Sequence, residues 1–160
     1  MQATISGNTP AYVQDATPAN EATYTASFAL KPNGTTTNGS AVDVLSALTG
    51  GTAPTQVLAV QYRRVTGPVR LQLRLSVARK GGTATTGWYT VTEAWHIVGV
   101  TWASGSSASA TLRIDGATAE TLTRVDTSAR RIETARLGPS GGLGGGMAGT
   151  AYFDAFTSSR

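Results

Sequence analysis

Two neighbouring stretches place arginine and glutamine at alternate positions: Gln61 and Arg63 in residues 57–64, then Arg70, Gln72 and Arg74 in residues 69–77. In an extended chain residues two apart share a face, so each stretch presents one polar side. Planar guanidinium and amide groups in a row can hold carboxylates, sulfates or sugar hydroxyls in fork geometry. Arg113, from a further extended stretch, can join them, and Trp88 can stack on a pyranose ring. A solvated strand face with cross-strand polar pairs has the same pattern. The row therefore defines a candidate glycan-binding face and an ordinary polar face alike.

Other chemistries have less to build on. His96 is the single histidine and there is no cysteine, which excludes a multi-imidazole or thiolate metal centre. Beside Trp95 on an apolar stretch, a lone histidine is expected as a packed, hydrogen-bonded side chain. No Gly-x-Ser-x-Gly turn precedes a helix, so a serine triad has no elbow. The glycine-rich stretch after Gly138 lacks the Gly-Lys-Ser/Thr ending of a phosphate loop. The net charge of +4 comes from two lysines and eleven arginines spread along the chain, with pairs such as Arg63-Arg64 and Arg130-Arg131 as the densest clusters. That dispersion argues against nucleic acid as a partner. No apolar run is long enough to span a bilayer, and residues 1–8 lack the regions of a signal peptide, so an exported natural protein would make this sequence an excised piece.

The elements that must position these residues are strands. Period-two alternation or short apolar runs predict them near 11–13, 24–30, 41–48, 57–64, 69–77, 86–92, 95–102, 110–114, 117–124, 132–137 and 150–157. Val69, Leu71, Leu73, Leu75 and Val77 point to a core, leaving the arginine side wet and basic. In 95–102 both faces are apolar, which predicts a strand covered twice, with Trp95 and Trp102 in the core. Asp115-Gly116 is a type I′ hairpin signal. Residues 35–42, Gly81 to Ala84, and the seven-glycine stretch Gly138 to Gly149 read as an exposed loop, a turn and a flexible loop. With no helix, no repeat and no linker, the expectation is an all-β, two-sheet antiparallel sandwich forming a single domain over 1–160, with 1–10 as an extended N-terminal arm.

The order of Trp95-His-Ile-Val-Gly-Val-Thr-Trp102, Leu112-Arg-Ile-Asp-Gly116, Arg136-Leu-Gly138 and Tyr152-Phe-Asp-Ala-Phe156 resembles the concanavalin A-like lectin/glucanase superfamily. More narrowly it resembles laminin G-like and pentraxin-like domains of bacterial surface and secreted proteins. The resemblance implies a jelly-roll sandwich that binds glycans and is appended to larger proteins. It also implies a structural Ca²⁺ held by Asp154 of the closing strand with Asp15 or Glu21, although Ca²⁺ takes six to eight oxygens and these supply two or three. The alternative for Asp154 is a hydrogen bond from backbone or from Arg131 or Arg136. The Glu-x-Asp-x-x-Glu strand of the glucanases is absent, since Glu21, Glu93, Glu120 and Glu133 each stand alone.

Together these point to a chain that is not an enzyme. They suggest a carbohydrate-binding or adhesion module at a cell, virion or fibre surface, with a glycan or surface polysaccharide as partner. The alternative is a structural subunit, a capsid-decoration or filament component that self-associates or binds a scaffold protein. Either would lie outside the cell or on a surface, as part of a larger protein or assembly.

Overall fold

The computed structural model describes residues 1–159; Arg160, the last residue of the expected domain, lies outside the described residues. Thirteen strands follow in order: β1 (Gln2–Ser6), β2 (Val13–Asp15), β3 (Thr23–Lys31), β4 (Val42–Leu48), β5 (Gln56–Val65), β6 (Arg70–Arg79), β7 (Gly82–Thr85), β8 (Tyr89–Val91), β9 (His96–Ala103), β10 (Ala108–Ile114), β11 (Ala117–Val125), β12 (Thr134–Gly141) and β13 (Ala148–Ser159). The described residues contain no helix. One sheet runs β1-β13-β3-β9-β10-β11; the other runs β2-β12-β4-β5-β6-β7, with β8 also paired to β6. This is the expected two-sheet antiparallel jelly roll.

Alternation sets which side of each strand is buried. Tyr24, Ala26, Phe28 and Leu30 of β3 meet Val98, Val100 and Trp102 of β9 on the inner face of the first sheet. Leu58, Val60 and Tyr62 of β5, with Leu71, Leu73, Leu75 and Val77 of β6, line the second sheet across from them. A register slip of one residue would turn these apolar rows to solvent, so the core fixes the register and thereby the polar rows on the outer faces. At the β10–β11 turn, Asp115 (φ 52) and Gly116 (φ 81) both take the left-handed conformation that a type I′ turn demands.

Several expectations are corrected. The first ten residues do not extend as an arm: β1 pairs along its length with β13, burying Ala3 and Ile5, and the Met1 amino group donates to the Phe153 carbonyl at 2.5 Å. Gly82 to Thr85 is a strand, because the turn closes one residue earlier, at Lys80-Gly81. β9 is covered on one side only. Ile97 is 48 % exposed, and Trp95, which precedes the strand, is 49 % exposed, while Trp102 fills the core as expected.

The loop around 35–42 is anchored. Thr35 and Thr37 are fully buried, the Thr37 hydroxyl accepts from Arg64 N–H at 2.8 Å, and the Tyr62 hydroxyl donates to the Thr35 carbonyl at 3.1 Å. Half of the glycine-rich stretch is strand, the end of β12 and the start of β13, with 142–147 as the connection between them. β12 runs through the buried Gly138 and Pro139, and Met147 packs on Ile5 and Val42. A Cβ on Gly138 would stand 2.4 Å from the Ala11 carbonyl, so glycine here permits a close backbone approach.

Candidate functional site

The outer face of the second sheet carries a connected polar group. Gln61 stands opposite Arg74 in the β5–β6 ladder, and Arg63 opposite Gln72. Arg74 Nε–H donates to Gln61 Oε1 at 2.7 Å, and Arg63 Nε–H to Gln72 Oε1 at 2.9 Å. Both guanidinium carbons lie over the Trp88 ring, 4.0 Å (Arg63) and 4.4 Å (Arg74) from its centroid. Trp88 sits just before β8, which pairs on the far side of β6 and so delivers the indole onto this face. The side is therefore less wet than its alternation suggested: Gln72 and Ser76 are buried and Arg74 is half-buried. Burial, and next the charge of Arg63, lower the pKa of Arg74 from its ordinary value, with Asp43 acting in the opposite sense.

The sequence row did not include the acid at the centre of this group. Asp43 of β4 is opposite Gln61, next to a register shift between Asp43 and Leu45 that turns its side chain onto the outer face. Its Oδ1 accepts from Gln61 Nε2 at 2.8 Å and its Oδ2 from Gln56 Nε2 at 2.8 Å. A polar residue interrupting the apolar run 41–48 was its only signal. The strands β4, β5, β6 and β12 contain no other carboxylate.

Of the residues singled out from sequence, the fold gathers Gln61, Arg63, Gln72, Arg74 and Trp88. Arg70 opens β6 two positions before Gln72 and is exposed, with no hydrogen bond or ring contact to the group. Arg113 belongs to β10 in the opposite sheet, across the core, and cannot join them. Asp154, Asp15 and Glu21 are not gathered: no three of the described His, Asp or Glu side chains come together as metal ligands. Asp154 is exposed on β13 and accepts from its neighbour Ala155 N–H at 2.9 Å, beside a bulge where Ala155 has φ 50. Asp15, on β2 of the other sheet, accepts from the Thr17 backbone and hydroxyl, and Glu21 from Ala19 N–H.

His96 has a tighter environment than the sequence indicated. Its Nδ1 lies 2.7 Å from Asp115 Oδ2, and its Nε2 lies 2.9 Å from the Thr92 hydroxyl. These are the parts of an acid–histidine–hydroxyl relay. Nε2 also accepts the Thr92 backbone N–H at 3.0 Å, which occupies the lone pair that a general base needs and leaves the ring proton on Nδ1 for Asp115. The group locks the 92–96 turn to the β10–β11 hairpin, where Asp115 Oδ1 also accepts Ile97 N–H.

The architecture is thus a concanavalin A-like jelly roll with an arginine-, glutamine- and tryptophan-lined outer face. No family model and no curated protein matches the chain. Solved structures of the same fold do. Alginate lyase vAL-1 from a Chlorella virus superposes with a TM-score of 0.67 at 11 % identity, over 99 % of this chain and 84 % of that one. The alginate lyase Aly36B, solved with an alginate trisaccharide, gives a TM-score of 0.68 at 14 % identity, over 99 % and 80 %. AlyC3, in complex with dimannuronate, gives 0.59 at 13 % identity, over 99 % and 69 %.

The expected jelly-roll fold stands, while these neighbours are alginate lyases and not laminin G-like or pentraxin-like domains. They also correct two functional expectations, that of a non-catalytic adhesion module or structural subunit and that of a chain that is not an enzyme. Over its whole described length, the fold is one found in polysaccharide-cleaving enzymes.

Proposed function

We propose that the chain is a carbohydrate-active enzyme that cleaves an acidic polysaccharide by β-elimination on the outer face of the second sheet. The observation that supports this most directly is the chain Arg74–Gln61–Asp43 beside the Trp88 ring. Elimination from a uronic acid unit needs a cation and hydrogen-bond donors on the carboxylate, so that the adjacent C5–H becomes acidic, and a base to take that proton. Arg74 and Arg63 supply the charge, Trp88 a platform for the sugar ring, and Asp43 the base. The C5 proton passes to the Asp43 carboxylate, the C–H electron pair becomes the C4=C5 double bond, and the C4–O bond breaks with its oxygen protonated from solvent. Two lone-pair positions of Asp43 remain after the two glutamine bonds.

Hydrolysis is less well served by the same residues. It takes two carboxyl groups, about 5 Å or about 6.5–9.5 Å apart, whereas β4, β5, β6 and β12 offer one. The alginate lyases that share the fold, one of them holding an alginate trisaccharide, support a polyuronate as the substrate class. Such polymers lie outside cells or on their surfaces, which keeps the location expected from sequence.

The test is to incubate the purified chain with alginate, a second polyuronate and a neutral glucan, following the ultraviolet absorbance of the unsaturated uronate product. Absorbance should rise with a polyuronate, stay flat with the glucan, and be lost in Arg74→Ala. A folded wild-type chain producing none from any polyuronate would overturn the proposal.

A further inference from the structure

One structural unit recurs on this face. In Arg63–Gln72 and in Arg74–Gln61, residues directly opposite in a ladder are joined by Arg Nε–H to Gln Oε1, with the guanidinium on an aromatic ring. At the opposite edge of the same sheet, Arg136 of β12 is directly opposite Gln14 of β2, donates Nε–H to Gln14 Oε1 at 2.9 Å, and lies 4.7 Å from the centroid of Tyr12. We infer that Tyr12, Gln14 and Arg136 form a second subsite for an anionic sugar, so that one acidic polysaccharide chain crosses the sheet from the Trp88 unit to the Tyr12 unit. This rests on the function proposed above.

The chemistry of the pairs favours a ligand over a merely solvated face. A sheet that only needs its arginines hydrated can pair them with Asp or Glu across strands. Here each partner is a neutral amide that fixes Nε and leaves both Nη groups free. Among the described residues the ion pairs are Arg64 with Glu93 and His96 with Asp115, so Arg63, Arg74 and Arg136 keep their charge without a carboxylate at ion-pair distance. An oriented, stacked and unpaired guanidinium suits end-on binding of a carboxylate.

Arg136 and Gln14 also line a cavity of about 410 Å³ with Thr134, Thr49 and Gly50. Its acid, Glu133, forms no ion pair with Arg136 and lies so close to Gly50 that a Cβ there would stand 1.9 Å from its Oε2. Tyr12 is 38 % exposed, as a sugar platform must be. From Arg74 on β6 through β5 and β4 to Arg136 on β12 is three strand spacings, about 14 Å, and from Arg63 on β5 two, about 10 Å, so an oligomer longer than a dimer is needed to join Arg136 to Arg74. The second subsite therefore acts only on longer oligomers.

The experiment is calorimetric titration with alginate oligomers from dimer to hexamer, in an Asp43→Asn background so that none is cleaved. Arg136→Gln should weaken hexamer binding about tenfold, the loss of one charge-assisted contact, and leave the dimer unchanged. Arg74→Gln should weaken both. Tyr12→Ala, an exposed ring before β2, should repeat the Arg136→Gln pattern and decides the matter if Arg136→Gln fails to fold. If dimer and hexamer bind the Arg136 and Tyr12 variants as they bind the parent, or lose affinity equally, the second subsite is refuted while the proposed function stands. If no oligomer binds the parent, the second subsite falls, while the proposed function is decided separately by the absorbance assay of the wild-type chain with both polyuronates.

Discussion

Asp43 stands directly across from Gln61 in the β4–β5 ladder and accepts that amide's Nε2–H at 2.8 Å. The bond sets the amide's direction, with nitrogen toward Asp43 and oxygen toward Arg74. Asp43→Asn keeps the shape and removes the base. It also sets an NH₂ against the amide of either Gln56 or Gln61, the other still donating to the remaining oxygen, so stability should fall by about 1–3 kcal/mol. Turnover of a polyuronate should fall by about 10²–10⁴-fold, the usual contribution of a positioned base. Thermal unfolding and the absorbance assay on the same preparation separate the two effects. A variant that cleaves at the wild-type rate would remove Asp43 from the mechanism.

Trp88 supports two cations at once. Trp88→Ala removes both cation–π contacts, each about 0.5–1 kcal/mol when partly exposed, and opens Gln72 and Arg74 to water. The expected outcome is a small drop in the thermal midpoint with a larger loss of oligosaccharide affinity, because the platform for the sugar goes with it. Trp88→Phe should restore most of the stability and part of the affinity. Titration of an alginate trimer into both variants checks the order.

Asp115 gives the fold a pH dependence. The hydrogen bond from His96 is the largest effect and lowers its pKa from the ordinary value of 3.8; burial comes next and raises it, and the bond from Ile97 N–H adds a smaller lowering. A carboxyl whose folded value lies below its unfolded one contributes stability above the unfolded value and loses it as pH falls through the folded value. The side chain is about half exposed, so after solvent screening the contribution is less than about 1 kcal/mol. Asp126, whose pKa is lowered mainly by its bonds from Ser128, titrates in the same sense. The difference between wild type and Asp115→Asn isolates the His96 contact. It should shrink as pH falls below the ordinary carboxylate value. A difference independent of pH down to full protonation would mean that the bond to His96 is not what stabilises the turn.

The alternation of Leu71, Leu73, Leu75 and Val77 made the β6 strand and its arginine face legible, because a buried row specifies the opposite row by the pleat alone. Asp115-Gly116 made its turn legible for a similar local reason. The strand at Gln2–Ser6 was not legible: Ala3 and Ile5 are too few to show a period, and what holds them is the edge of β13, about 150 positions away. Trp95 was misplaced because hydrophobicity was read without the strand boundary that leaves it outside β9. In the site, Gln61, Arg63, Gln72 and Arg74 showed their pattern within two stretches. Asp43 and Arg136 come from strands whose place beside β5 and β2 depends on sheet order, which spacing along the chain does not encode. Arg113 was assigned to the wrong sheet for the same reason.

Gly141 ties the glycine-rich stretch to the site. It is opposite Asp43 in the β12–β4 ladder, and a Cβ there would lie 2.6 Å from Asp43 Oδ2. That oxygen accepts from Gln56 at 2.8 Å, so Gly141→Ala must displace the carboxylate and is expected to weaken the bond. A stability loss of about 1–3 kcal/mol is expected for the poorly paired amide, together with a loss of turnover. Gly145 is the matched control. No atom lies within 4 Å of its added Cβ and its φ is outside the left-handed range, so Gly145→Ala should be neutral or stabilising by up to about 1 kcal/mol. Because Gly141→Ala acts through Asp43, its effect on turnover should nearly vanish in an Asp43→Asn background, a non-additivity that residues in contact show and distant ones do not. Additive losses in that double variant would mean that Gly141 affects the face by another route, through the β12 backbone itself.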